Sequence, residues 1–206
     1  MPIARPFSTA AFVAAMLFCA GSAEAQKFVR QDSLRALPAP VLLETAGMFQ
    51  ERYAKVGDDM FIAGQPTEKA LREMKAQGVT TIVNLRTPPE MARIGFDEPK
   101  LIAELGMQYV YLPVRGDGEF PYSTETLAKF TEVMRSAEGK VLLHCTVAWR
   151  ASHLWGAYLI QRGVPAVDAL THTRAINLMD DHRMDSSGRQ PLELFLGKSV
   201  PGLGKR

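Results

Sequence analysis

Cys145 and Arg150 pair a nucleophile with an anion clamp, separated by four residues: Thr146, Val147, Ala148 and Trp149. The apolar run Val141-Leu142-Leu143 precedes them, bounded upstream by Gly139, and reads as a buried parallel strand ending at His144. Downstream, Leu154, Trp155, Tyr158 and Leu159 recur as one face of a helix that starts near Arg150. A strand running into a helix N-terminus aims backbone N–H groups and the positive end of the helix dipole at one point. A thiol placed there is stabilised as the thiolate. The Arg fork matches a tetrahedral oxyanion in a bidentate way. Together they form an apparatus for a cysteine attacking phosphorus, and the competing reading of Cys145 is a small buried hydrophobe.

Other residues with usable chemistry fall at the ends of predicted strands. Arg86 closes the β-branched run Val79 to Leu85, placed either to contact a substrate anion or as a surface charge. Asp117 lies in the loop Val114 to Tyr122 between Gly116 and Gly118, with Glu119 close behind. Flanking glycines let such a loop swing, although Asp-Gly is also ordinary turn chemistry. Trp149 either lines the pocket mouth or packs on the sheet. Asp180, Asp181 and His182 are too few for a metal site, and no metal or cofactor is called for.

The elements that must carry these residues alternate. Lys55-Val56, a turn at Gly57-Asp58-Asp59, and Met60 to Ala63 read as a hairpin. Thr67 caps a helix from Glu68 to Gln77 that Gly78 stops, with Leu71 and Met74 inward. The strand Val79 to Leu85 follows, and Thr87-Pro88-Pro89 forces a loop. A helix from Glu98 to Leu105, a strand from Met107 to Leu112, and a helix capped by Ser123 and running to Ser136 lead to the Cys145 strand. A last helix spans Ala166 to Leu178, and Val41 to Tyr53 leaves room for a short one. Strands alternating with helices predict a three-layer α/β/α fold with a mostly parallel central sheet. In such sheets ligands bind beyond the carboxyl ends of the strands, where Arg86, Asp117 and Cys145 all fall.

His-Cys, a short loop and Arg at a strand-to-helix turn resemble the signature loop of cysteine-dependent tyrosine and dual-specificity phosphatases. Gly64-Gln65-Pro66-Thr67 and Gly78-Val79-Thr80-Thr81-Ile82-Val83-Asn84-Leu85-Arg86 resemble a bacterial branch of that superfamily, the beta-lactamase hydrolase-like one. The resemblance runs from about Phe61 to about Leu178. It implies a protein tyrosine phosphatase-like fold with Cys145 as nucleophile. Arg150 and the loop Thr146, Val147, Ala148 and Trp149 would then hold the phosphate, with Arg86 beside them. His144 would orient the loop, and Asp117 would be the general acid, with Glu119 as fallback. The usual loop has five residues between Cys and Arg, a glycine where Ala148 stands, and Ser or Thr after the Arg in place of Ala151; four-residue loops also occur in this branch.

Composition narrows the rest. The 206 residues carry 24 Lys+Arg against 22 Asp+Glu, a net +2 that gives no argument for nucleic acid. Arg5, the uncharged stretch Ala10 to Ala20 and Ala23-Glu24-Ala25 spell a cleavable export signal over residues 1–25. That apolar stretch is too short for stable membrane insertion, which needs about 20 residues. Removal of the signal leaves Cys145 as the sole cysteine of a periplasmic or secreted protein. An N-terminal arm over 26–50, a phosphatase-like domain over 51–180 and a packed tail over 181–206 complete the expected organisation. Three functions fit: a phosphatase acting on a phosphorylated small molecule or phosphoprotein, a rhodanese-like sulfurtransferase, and an anion-binding domain without turnover. Oligomeric state is left open.

Overall fold

The computed structural model describes residues 38–179 and 188–204. The export signal, most of the arm, and the Asp180-Asp181-His182 cluster lie outside the described residues. Six strands form one sheet: β1 (Val41–Leu42), β2 (Tyr53–Val56), β3 (Met60–Ala63), β4 (Val79–Asn84), β5 (Gln108–Tyr111) and β6 (Lys140–His144). Their spatial order is β1-β2-β3-β6-β4-β5. β3, β6, β4 and β5 run parallel, while β1 and β2 add antiparallel partners at the β3 edge. The mostly parallel sheet and the helical layers on both faces are those expected from the alternation of elements.

β6 sits at the centre because Val141, Leu142 and Leu143 are all buried, as a strand covered on both faces requires. Each such side chain contributes about 1.5–3 kcal/mol relative to exposure. The alternation along β6 divides its neighbours. Leu142 packs with α1 (Glu68–Ala76) and α3 (Glu98–Glu104) on one face. Val141, Leu143 and Cys145 pack on the other, with α4 (Thr124–Ser136), α5 (Trp149–Gln161), α6 (Ala166–Arg174) and α7 (Pro191–Leu196). The apolar piece of the tail, α7, docks on α5 and α4, with Leu192 and Phe195 fully buried.

Two local expectations change. Residues 41–53 hold no helix: Val41 and Leu42 pair with β2, and the chain then turns at 46–48. Thr87-Pro88-Pro89 does not end in open loop either. Thr87 opens the one-turn helix α2 (Pro88–Met91), with Pro at its start and Glu90 closing a capping box onto Thr87 N (2.9 Å). Proline suits that position because its missing N–H would be unpaired there anyway.

The carboxyl edge of the sheet gathers the loops that make the site, and Gly64 sets how closely they meet. Gln65 N donates to Thr146 O (2.9 Å) and Gly64 N to Arg52 O (2.8 Å). A Cβ on Gly64 would lie 1.8 Å from the Gln50 carbonyl oxygen and 2.8 Å from that of Thr146. Gly64→Ala is therefore expected to push the Cys145 loop off β3 and to cost about 1–3 kcal/mol, the usual penalty of overpacking. Urea unfolding measures it, and an unchanged midpoint would show that the 50–52 segment yields freely.

Candidate active site

β6 delivers Cys145 to the edge as its next residue. Cys145 N donates to Ala63 O (3.3 Å), so the nucleophile's backbone is still held by the strand beside it. Four residues then turn the chain into α5. Val147 pairs with Gly64 in an isolated antiparallel bridge, and Asn177 Nδ2 donates to Val147 O (2.5 Å). Ala148 takes the left-handed conformation at φ +66°. For a residue with a Cβ this costs about 1–2 kcal/mol. The first α-helical bond is Ser152 N to Ala148 O (2.9 Å), so the amides of Trp149, Arg150 and Ala151 sit at the open end of the helix. α5 buries both a polar N-terminal turn and a long apolar face, as its 13 residues show.

Arg150 is the most heavily bonded side chain at this edge. Its Nη1 donates to Val114 O (2.7 Å), Leu85 O (3.2 Å) and Glu90 Oε2 (2.9 Å). Its Nη2 donates to Glu90 Oε1 (2.6 Å) and Thr146 Oγ1 (3.0 Å). The fork expected to grip an oxyanion thus already grips a carboxylate. Glu90 also accepts from the hydroxyls of Thr146 (2.8 Å) and Thr87 (2.9 Å). Burial alone would raise the Glu90 pKa, but bonds from Arg150, Thr87 and Thr146 outweigh it and pull it down to about 2. Burial likewise works against the charge of Arg150, yet Cys145 and Glu90 hold its pKa above the ordinary value.

A second polar network lies on the opposite face, under α3. His144 Nε2 and Glu98 Oε1 are 3.1 Å apart, both side chains fully buried. Glu98 also accepts from Asn84 Nδ2 (2.8 Å) and Gln65 Nε2 (2.6 Å). Burial opposes its ionisation, but His144, Gln65 and Asn84 keep its pKa below the usual range. His144, expected to orient the loop, is on the far side of the strand from the Cys145 side chain. It holds the strand end from below through Glu98. Arg86 is buried instead of being a surface charge, donating to Gln65 Oε1 (2.5 Å) and Glu90 O (2.8 Å). It ties the two networks together.

Asp117 is exposed, and its Oδ1 accepts from Glu119 N (3.2 Å) and Phe120 N (2.8 Å). Its other oxygen is 3.9 Å from Arg115 Nε. Glu119 is exposed in the same turn. Trp149 is buried, packing edge-to-face on His153 at 4.5 Å between ring centroids. Glu90, Arg93, Arg115, Tyr122 and Arg150 line a polar cleft of about 210 Å³. Cys145 lies beneath this edge with 1% of its surface exposed. A wider hollow of about 570 Å³ between Phe49, Pro66 and Phe96 is lined by neither Cys145 nor Arg150. Among the described residues no group of three or more His, Cys, Asp or Glu is arranged to hold a metal.

Residues 52–161 match the family described as beta-lactamase hydrolase-like protein, phosphatase-like domain. The chain belongs to that family. A beta-lactamase hydrolase-like protein of Agrobacterium fabrum (strain C58 / ATCC 33970) is 34% identical over 104 residues, which cover 49% of this chain and 23% of that one. The chain thus spans under a quarter of that relative's length. Among solved structures, TpbA of P. aeruginosa superposes with a TM-score of 0.56 at 15% identity, over 81% of this chain and 94% of its own. The kinase associated phosphatase, with its catalytic-site cysteine substituted by serine, gives 0.52 at 15% identity over 68% and 84%. At these identities the likeness is one of fold, and the fold is that of the protein tyrosine phosphatases.

The two acids that define this phosphatase-like site were not singled out in the sequence. Glu90 had a readable signal: Thr-Pro-Pro-Glu is the spelling of a helix start with a capping box. Glu98, in Asp-Glu-Pro, reads as one more surface charge, and only α3 packing against β6 makes it a buried partner for His144.

Glu90→Gln is expected to raise affinity for inorganic phosphate about tenfold, because the Arg150 fork loses its neutralising charge. Calorimetric titration reads this, and unchanged or weaker binding would show that Glu90 does not compete for the fork. The low Glu90 pKa stabilises the fold fully above about 4.5 and is lost as the pH falls towards about 2. The variant should lose stability less steeply across that window.

His153 supplies a second pH test. Both ring nitrogens are buried without partners, and burial pushes its pKa down from 6.5 to about 3. The unfolded chain therefore binds one proton more than the folded one between those values. Stability should fall as the pH drops from 6.5 to 3, by about 1.4 kcal/mol per pH unit for one proton. His153→Leu should flatten that slope in urea unfolding measured against pH, and an unaltered slope would assign it to other groups.

Proposed function

We propose that the domain is a cysteine-dependent phosphomonoesterase. The observation carrying this is the placement of Cys145 and Arg150 at either end of one loop, between the central strand and the N-terminus of α5. Cys145 Sγ attacks phosphorus, the ester P–O bond breaks, and the phosphoryl group rests on sulfur. The entering phosphate dianion displaces the Glu90 carboxylate from the Arg150 fork and takes up the amides at the start of α5. Asp117 gives its proton to the departing oxygen, once the 115–120 turn swings over the cleft from its exposed position. It then takes a proton from the water that breaks the S–P bond and restores the thiolate. The chain is read as exported, with Gln26 as its mature N-terminus. N-terminal sequencing of the secreted protein tests this, and finding Met1 would refute it.

One observation favours sulfur transfer as the second reading. The four-residue loop is tighter than the usual five, and its Arg is already neutralised by a carboxylate. That arrangement suits a single sulfur on Cys145 better than a tetrahedral dianion. In that case thiosulfate would pass its outer sulfur to Cys145 with release of sulfite, and cyanide would remove it as thiocyanate.

Cys145→Ser is expected to abolish hydrolysis of aryl and alkyl phosphates alike. Asp117→Asn should slow an alkyl phosphate by about 10²–10⁴-fold and a nitrophenyl phosphate far less, since a stable phenoxide departs almost unaided. Steady-state kinetics on both substrates decide this. Equal slowing of both places the acid elsewhere, with Glu119 next to be changed. Thiocyanate production without phosphate hydrolysis would replace the first reading with the second.

A further inference from the structure

The two segments that hold Arg150 each bring another arginine to the same cleft. α2 supplies Glu90, and three residues later the turn closed by Arg93 N to Glu90 O (3.2 Å) places Arg93 in the cleft wall. The segment after β5 supplies Val114 O to Arg150, and the next residue, Arg115, lines the same cleft. Arg115 is fixed by its own N donating to Phe120 O (2.7 Å). Three guanidinium groups therefore line one cleft with a single carboxylate, Glu90, among them. The remaining acid nearby is Asp117, whose nearer contact to Arg115 is long at 3.9 Å and whose other oxygen already takes two backbone N–H groups. Among the described residues no carboxylate pairs with Arg93, which is solvent-exposed.

One phosphate on Arg150 needs one fork. Two further exposed arginines line the same space, Arg93 with no carboxylate partner among the described residues and Arg115 with only the long contact to Asp117, and such positive clefts concentrate anions. Planar guanidinium groups favour phosphate or carboxylate oxygens over other polar groups. At about 210 Å³ the cleft is smaller than the roughly 300–1,000 Å³ of pockets for drug-sized ligands. The occupant is therefore compact. Its walls at Arg93 and Arg115 are charged, with Tyr122 the single aromatic, which gives little apolar surface to an acyl or aryl body.

The geometry points to a compact bisphosphorylated ligand: one phosphate in the Cys145–Arg150 loop and a second held by Arg93 and Arg115. This rests on the phosphatase reading for the first phosphate and adds the class of molecule that carries it.

The test is calorimetric binding of fructose 1,6-bisphosphate against fructose 6-phosphate to the wild-type protein in chelator-treated buffer. The bisphosphate should bind at least about tenfold more tightly, the worth of one added charge-assisted contact. In Arg93→Gln/Arg115→Gln the two affinities should converge to within about threefold. Both side chains are exposed, so the fold should survive, and circular dichroism checks that. Lys129→Gln, a surface charge paired with Glu125 on α4, should leave the ratio as in wild type. Equal affinities in wild type, no binding of either sugar, or a ratio that survives the double substitution would overturn the inference. Cys145-dependent aryl phosphate hydrolysis is scored separately. Hydrolysis with a ratio near one sinks this inference alone, whereas a preserved ratio without hydrolysis sinks the phosphatase reading and leaves the two-anion cleft standing.

Discussion

Arg150 is the joint on which the carboxyl edge of the sheet depends. Its guanidinium reaches backbone carbonyls of two loops, at Leu85 and Val114, and the side chains of Glu90 and Thr146. Leu85 O also takes Val114 N (3.1 Å), whereas a Val114 carbonyl left unpaired in that buried position would cost about 1–3 kcal/mol. One side chain thus satisfies the ends of β4 and β5 and holds α2 over the Cys145 loop. A buried ion pair is not by itself a large stabiliser, because removing two charges from water costs much of what their attraction returns. Its larger effect here is positional: loops after three parallel strands are fixed to one point.

The same constraint limits what an anion could gain at this edge. A guanidinium engaged through both Nη groups by a carboxylate is neutralised, and a substrate anion gains only what Glu90 gives up. Glu90 sits at the end of a one-turn helix at the surface, while Arg86 fixes that helix through the Glu90 carbonyl. The Glu90 backbone is therefore held independently of its carboxylate. Ala148 adds a cost of its own. A left-handed alanine in the tightest part of the loop stores backbone strain at a site already built around a charge pair, as functional sites often do.

Below the strand, Glu98 and His144 perform the complementary task. A fully buried carboxylate persists only if its lone pairs are taken, and Gln65, Asn84 and His144 take them. Gln65 also accepts from Arg86 and, through its backbone, donates to Thr146. The Cys145 loop is consequently braced from both faces of the sheet. Membership of the phosphatase-like family covers this braced core, residues 52–161.

Much of this was legible in the sequence for local reasons. The apolar run before Cys145, the caps at Thr67 and Ser123, and the turn at Gly57-Asp58-Asp59 encode strand, helix and hairpin by rules that act within a few residues. The order of those elements then dictates a parallel sheet and puts Cys145, Arg86 and the Asp117 loop at one edge. The partners of these residues were decided by tertiary packing alone. Nothing within reach of Arg150 along the chain names Glu90, which is 60 residues away, and nothing near His144 names Glu98. Arg86 ends a strand in either reading; only the covering of that end by α2 makes it a buried brace. A charged residue's role depends on which opposite charge the fold delivers to it and on how much water is left between them. Both are properties of the assembled sheet edge, not of any segment.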